Sequence, residues 1–201
     1  MVRCQFYTKI GACRHGDKCS KVHVKPVHSK TVLMPHLYVP KTMASDFPEF
    51  FLDVFRQLAT YGEVKSVVVC ENENSHLNGN VYVKYATIQQ AEAAVTGLNQ
   101  QWFDGRPVHC ELSPVENFGE AVCRAHDTNS CNRGDKCNYM HVHTQNDPTL
   151  KRILPSHQKS LLQKQLQELQ ESSAAQKAQA PVPPSSTLNM LSKMFNHEAA
   201  A

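Results

Sequence analysis

Asn78-Gly79-Asn80-Val81-Tyr82-Val83-Lys84-Tyr85 is the stretch that decides how the middle of this 201-residue chain folds. It reads as a β-strand, and the period of two places Asn80, Tyr82 and Lys84 on one face. On its N-terminal side, Val64 to Cys70 is a second, Val-rich strand. Before that, Phe50, Phe51, Val54, Phe55 and Leu58 recur at helical intervals and Gly62 stops the helix. Thr31 to Met34 is a short β-rich run ended by Pro35. On the C-terminal side, Thr87 and Gln90 form a capping-box pair before Ala91, Ala94, Val95 and Leu98, which share a helical face. Asp104-Gly105 signals a turn, and Val108 to Leu112 is the last strand. The order βαββαβ over residues 31–118 predicts an α+β, ferredoxin-like split βαβ domain.

That order is also the plan of the RNA recognition motif (RRM), whose third strand carries the pattern K/R-G-F/Y-G/A-F-V-x-F/Y. Here Asn80 stands where the first stacking ring belongs, and no aromatic lies between Thr31 and Met34. Base stacking contributes about 1–3 kcal/mol per base. A sheet with at most one ring is therefore expected to bind RNA poorly and to serve another purpose. Glu49 and Asp53, four apart, line one face of the first helix. Trp102 and Phe103 fall in the short loop before the last strand, where an exposed Trp marks a contact unless it folds back on its own core.

Two Cys/His quartets flank this domain. Cys4, Cys13, Cys19 and His23 follow C-x8-C-x5-C-x3-H, and Cys123, Cys131, Cys137 and His141 follow C-x7-C-x5-C-x3-H. Three thiolates and one imidazole make a closed tetrahedral set for Zn²⁺, so two structural zinc ions are expected. The repeat reaches beyond the ligands: Gly16-Asp17-Lys18 and Gly134-Asp135-Lys136 each precede the third Cys and predict the same turn. His143 lies two residues past a ligand, but the x3 interval favours His141. His15, His28 and His126 read as exposed polar residues, and Cys70 and Cys110 as buried core thiols.

Residues 1–30 carry Arg3, Lys9, Arg14, Lys18, Lys21, Lys25 and Lys30 against the single acid Asp17, while residues 31–118 carry ten acids against five Lys/Arg. A polyanion suits the first module and a basic protein the second. In finger 1, Phe6, Tyr7, Lys9, Arg14, Lys18 and Lys21 interleave rings and cations, as single-stranded RNA requires, and Ser20 is placed to bond a base edge. The corresponding candidates in finger 2 are Arg133, Lys136, Asn138 and Tyr139; a small finger core is the alternative for Phe6 and Tyr139. The closed metal sets and the lack of a convergent nucleophile or carboxylate cluster point to a binding protein and not an enzyme. The first residues do not read as a signal peptide, and no apolar run reaches the ~18 residues of a membrane span.

The C-terminal region divides into a helical segment, 151–171, and a flexible tail, 172–201. Leu162, Leu166 and Leu169 suggest a helix from about Ser156 to Glu171, with finger 2 as the surface it packs on. Leu188, Leu191 and Phe195 allow a short docking helix in the tail, the alternative being disorder.

With Cys4 to Asp17, Gly79 to Lys84, Trp102-Phe103 and Glu111 to Val115 read together, the chain resembles the small subunit of the U2 snRNP auxiliary factor over about residues 1–150. The resemblance implies finger 1 over 1–30, a partner-binding RRM variant over 31–118 and finger 2 over 119–150. It implies a nuclear splicing factor whose fingers read the AG at the 3′ splice site. It also implies a heterodimer with the large auxiliary-factor subunit, a Trp of which is gripped by the middle domain. Glu49 and Asp53 would face basic residues around that Trp, Phe103 would line its pocket, and Trp102 would insert among the partner's prolines. Gln101 stands where the family's loop motif has Arg, and the family's Arg-Ser-rich run is absent from these residues. A zinc-finger protein of messenger RNA decay or 3′-end processing is the alternative; it would need no Trp-accepting pocket.

Overall fold

The structure is a computed structural model that describes residues 2–39, 47–143 and 148–179, with the backbone alone at 148–150 and 175–179. In chain order the elements are α1 (Gln5–Ile10), β1 (Thr31–Met34), α2 (Phe47–Ala59), β2 (Val64–Val69), β3 (Val81–Tyr85), α3 (Ile88–Leu98), β4 (Trp102–Phe103), β5 (Arg106–Pro107), β6 (Glu111–Leu112), α4 (Phe118–Ala121), α5 (Arg124–Asp127) and α6 (Pro148–Gln179). The chain divides into two compact units, Met1–Leu161 and Leu162–Ala201.

In the first unit the main sheet is antiparallel with order β2-β3-β1-β6. That is the order of a split βαβ domain, so the fold class read from the sequence is the one observed. The α2 and α3 faces predicted from spacing cover one side of the sheet: Phe50, Val54, Phe55, Leu58, Ala91, Ala94 and Leu98 join Val32, Met34, Val81, Val83 and Tyr85 in one core. The α3 capping box forms, Thr87 Oγ1 accepting from the Gln90 N–H and Gln90 Oε1 from the Thr87 N–H.

The opposite side of the sheet is covered too. Tyr82 lies between Leu33 and Val68 in the register and is fully buried. Ile10 from finger 1, Val115 from the strand exit, and Ala121 and Met140 from finger 2 pack over these residues. A second core therefore occupies the face on which an ordinary RRM stacks bases. Asn80, in place of the first ring, is buried and ties loops together: its Oδ1 accepts from the His36 N–H and its Nδ2 donates to the His76 carbonyl.

Two expectations need correcting. Trp102 and Phe103 are not in a loop. They pair with Pro107 and Arg106 in a two-residue hairpin whose turn residues Asp104 and Gly105 both have positive φ, 49° and 68°. The last sheet strand is only Glu111–Leu112, not Val108 to Leu112. Asn99 is the reason: its side chain accepts from the Cys110 N–H and donates to the Cys110 carbonyl, both at 2.8 Å, taking the groups a longer strand would have paired. Cys70 and Cys110 are buried, as expected, and burial pushes the Cys110 thiol up to about 12.

The C-terminal helix is longer than its apolar stripe suggested, running from Pro148 through Gln179 with Pro155 inside it. Residues 172–179, expected to be flexible, are part of it, because Ala, Gln and Lys favour helix without any apolar face. Within the first unit its described apolar contacts are with the RRM-like domain, where finger 2 was expected. Ile153 and Leu154 pack against the core of the RRM-like domain, and His157 meets the Phe55 ring edge-on at 5.5 Å. In the second unit Leu162, Leu166 and Leu169 of this helix are exposed. The segment with Leu188, Leu191 and Phe195 lies outside the described residues.

Candidate metal centres and nucleic-acid interface

Each finger is built around its four ligands. Cys4 and Cys123 directly precede one short helix each, α1 and α5, and Gly16–Lys18 and Gly134–Lys136 form matching 3-10 turns with Gly φ of 47° and 48°. The shared Gly-Asp-Lys thus makes the same turn twice. The ligand atoms of Cys4, Cys13, Cys19 and His23 lie within 4.8 Å of one another, and so do those of Cys123, Cys131, Cys137 and His141. Sulfur–sulfur separations are 3.7 and 3.9 Å in finger 1 and 3.8 Å twice in finger 2. A tetrahedral ion with Zn–S near 2.3 Å requires sulfurs about 3.8 Å apart. His23 Nε2 is buried without a hydrogen-bond partner, as befits a nitrogen whose partner is a metal ion. Burial holds the His141 imidazole below its ordinary value, in the neutral form that ligates. The two sets are structural zinc sites: protein fills all four positions, leaving none for a reacting water.

The ligand histidines are braced by stacking. Tyr7 is buried with its ring 4.5 Å from that of His23 and nearly parallel, and His126 stacks on His141 at 4.1 Å. Tyr7 and His126 are each three residues after the first Cys of their finger. This position in the repeat is the signal that marks His126, which sequence reading left as an exposed polar residue. Tyr7, an RNA-contact candidate in the sequence, is buried, with its ring stacked on the ligand His23. His143 is no competitor for zinc; its ring stacks on Phe47 at 3.7 Å and its Nε2 faces Glu71 at 3.8 Å.

Finger 1 exposes Phe6, Lys9, Arg14, Lys18, Ser20 and Lys21, and finger 2 exposes Arg133 and Lys136 with Asn138 and Tyr139 half-buried. α1 and α4 touch, and Arg14 Nη2 donates to the Lys136 carbonyl at 2.9 Å, so the fingers sit side by side. Lys9, Glu120, Arg124, Arg133 and Tyr139 line a shallow cleft of about 560 Å³ between them. The Arg133 guanidinium lies 6.0 Å from the Tyr139 ring centroid. Three cations against one carboxylate suit a phosphate backbone, and Tyr139 offers a ring. Arg124 is the cleft residue that sequence reading missed, because nothing in the finger spacing singles out the residue after the first Cys.

On the helix side of the sheet a second cavity, of about 220 Å³, has an apolar floor that includes Met34, Val54, Leu58, Leu98 and Phe103. Its rim is Asp53, Gln57, Gln101 and Trp102, with Trp102 70% exposed. The structure thus brings Asp53, Gln101, Trp102 and Phe103 together, while Glu49, also exposed on α2, does not line the cavity. Asp53 is the one charged group among the described lining residues, and Arg56 approaches it at 3.2 Å, a surface pair worth at most about 1 kcal/mol.

The comparisons with known proteins agree with this architecture. The family described as "Zinc finger C-x8-C-x5-C-x3-H type (and similar)" matches residues 1–25 and 118–143, and "RNA recognition motif" matches residues 52–109. The "Splicing factor U2AF 23 kDa subunit" of Schizosaccharomyces pombe is 41% identical over 182 residues, covering 85% of this chain and 84% of its own. The "Splicing factor U2af 38 kDa subunit" of Drosophila melanogaster is 44% identical over 161 residues, covering 70% and 61%. The "Splicing factor U2AF 26 kDa subunit" of Bos taurus is 45% identical over 159 residues, covering 70% and 72%. With its finger–RRM–finger order, its two zinc sites and relatives spanning most of its length, the chain belongs to the splicing-factor family of U2AF small subunits.

Proposed function

We propose that this protein recognises the AG at a 3′ splice site through its two zinc fingers and heterodimerises with the large auxiliary-factor subunit through its RRM-like domain, acting in the nucleus. The observation that carries the reading is a division of surfaces. The sheet face that would stack bases is taken up by Ile10, Ala121 and Met140 from the fingers. By contrast, Lys9, Arg124 and Arg133 line the cleft between the fingers, and Arg14, Lys18, Lys21 and Lys136 are exposed on the same two fingers. RNA contact is therefore assigned to Phe6, Lys9, Arg14, Lys18, Ser20, Lys21, Arg133, Lys136, Asn138 and Tyr139, with Arg124 added from the cleft.

The cavity beside Trp102 suits an apolar ring delivered by a basic segment, because its floor is apolar and the one charged group on its described rim is Asp53, whose surface pair with Arg56 a partner's cations can displace. Gln101 offers an amide there in place of a guanidinium, which leaves the rim more acidic than an Arg would. Trp102, exposed at the cavity mouth, supplies the reciprocal contact to the partner's prolines.

One calorimetric experiment tests both halves. A basic, Pro-flanked peptide containing one Trp is titrated into the zinc-loaded protein, followed by a short RNA ending in UAG or UCG. Peptide binding that Phe103→Ala weakens tenfold or more, and a preference for UAG, are expected. Absence of heat with the peptide, or equal affinity for the two RNAs, would overturn the corresponding half.

A further inference from the structure

Finger 2 does not satisfy its own backbone. The stretch Cys137 to His141 contains two of its four ligands, and the segment that follows β2 supplies the missing partners. Asn74 Nδ2 donates to the Cys137 carbonyl at 2.7 Å. Asn72 Nδ2 donates to the Tyr139 carbonyl at 2.9 Å, and Asn72 Oδ1 accepts from the His141 N–H at 2.8 Å. The Glu71 N–H donates to the His141 carbonyl at 2.8 Å. The two amides are deeply buried, with 1% and 9% exposure. Asn72 pairs with the finger as a β-strand's peptide group would, through one donor and one acceptor.

Finger 1 provides the internal contrast. Its inner pairing is the same as that of finger 2: the Cys4 N–H donates to the Val22 carbonyl just as the Cys123 N–H donates to the Met140 carbonyl. Its outer edge differs. Among the described residues, no hydrogen bond reaches the Cys19 carbonyl, the Lys21 carbonyl or the His23 N–H, the counterparts of the three groups held in finger 2. The brace is specific to the second finger and comes from a different domain.

We propose that Asn72 and Asn74 are positioning residues for RNA binding by finger 2. They fix the peptide planes on either side of Asn138 and Tyr139, and so set the direction in which the Tyr139 ring faces the cleft. The proposal rests on the RNA-binding reading of the fingers. It adds that part of the RNA affinity is determined inside the RRM-like domain, at side chains too buried to touch RNA themselves.

The test uses the full zinc-loaded chain with Asn72→Ala and Asn74→Ala. Zinc content, hydrogen exchange at the His141 amide and affinity for a short unstructured RNA containing UAG are measured. Two zinc ions retained, His141 exchange at least tenfold faster in Asn72→Ala, and RNA affinity down about tenfold are expected. Tyr139→Ala should cost less affinity in the Asn72→Ala background than in the wild type, because the ring has already lost its orientation. If Asn72→Ala does not fold, Asn74→Ala carries the test: it removes the donor to the Cys137 carbonyl, leaves both Asn72 bonds in place, and should lower RNA affinity with two zinc ions retained. Unchanged RNA affinity with two zinc ions bound would overturn the proposal, as would selective loss of the second zinc, which would make these residues metal-retention groups. A wild-type protein with no RNA affinity would fail the RNA reading instead; His141 exchange then decides the positioning claim, and unchanged exchange would overturn it.

Discussion

Tyr82 has the sequence position of a base-stacking ring and none of the accessibility. Leu33, Val68, Ile10, Val115 and Met140 surround it, and its ring serves as the floor on which both fingers rest. Replacing it by Leu keeps an apolar side chain and removes the ring. We expect Tyr82→Leu to lower stability by about 1–3 kcal/mol in thermal unfolding while leaving RNA affinity unchanged. A tenfold loss of affinity with zinc retained would instead mean that the ring is needed to hold the fingers in their RNA-binding arrangement. Gly11 is the second residue of this kind. It ends α1 with φ of 73°, and a Cβ there would stand 2.5 Å from Ser113 Oγ and 3.2 Å from both the Tyr82 ring and Val115. Gly11→Ala therefore meets an unfavourable backbone conformation and a clash together, and a loss of about 1–3 kcal/mol is expected in the same measurement.

The fingers are elements whose stability comes from metal. Finger 1's own buried cluster is Cys4, Tyr7 and Cys13, with Cys19 packed against it, too little apolar surface to hold a fold. A strong chelator should unfold both fingers and expose the Tyr82 face of the sheet, seen as lost amide protection at Met140 while α2 and α3 stay protected. Retained protection at Met140 without zinc would contradict this. The metal sites also make zinc affinity depend on pH. In the metal-free site, burial pushes the Cys13 and Cys137 thiols up to about 11, against backbone donors that pull the other way. Both are therefore protonated at neutral pH until zinc displaces the protons. Affinity should rise with pH by about tenfold per unit for each proton released, and a chelator competition from pH 6 to 8 measures the slope. A flat profile would mean that the thiols are already ionised.

For the molecule as a whole, the RRM-like domain is a two-sided platform. One face carries α2, α3 and the start of α6, and the other carries the fingers. Ending the chain after Arg152 removes Ile153, Leu154 and His157 from the core edge. It should cost about 1–3 kcal/mol. Ending it after Leu161 leaves those contacts in place and should change the melting temperature by no more than a degree or two. Equal melting of the two truncations would show that α6 adds no stability.

The sequence by itself determined what local rules determine. The x5 and x3 intervals bring four ligands to one ion, the period of two makes β3 a strand, and the Thr87–Gln90 pair starts α3, all through atoms a few residues apart. The absence of ring-bearing residues at Asn80 and in β1 was also legible, and it pointed to a sheet with another purpose than stacking bases. Only the tertiary structure decided what covers that sheet. The contacts of Tyr82 with Ile10 and Met140 join residues more than fifty positions apart, and no spacing rule encodes them. The same holds for the cleft at Arg124, for the bond from Arg14 to the Lys136 carbonyl and for the buried amides of Asn72 and Asn74. Each depends on where a hydrogen-bonding or apolar group ends up after the chain closes on itself, and local periodicity carries no information about that.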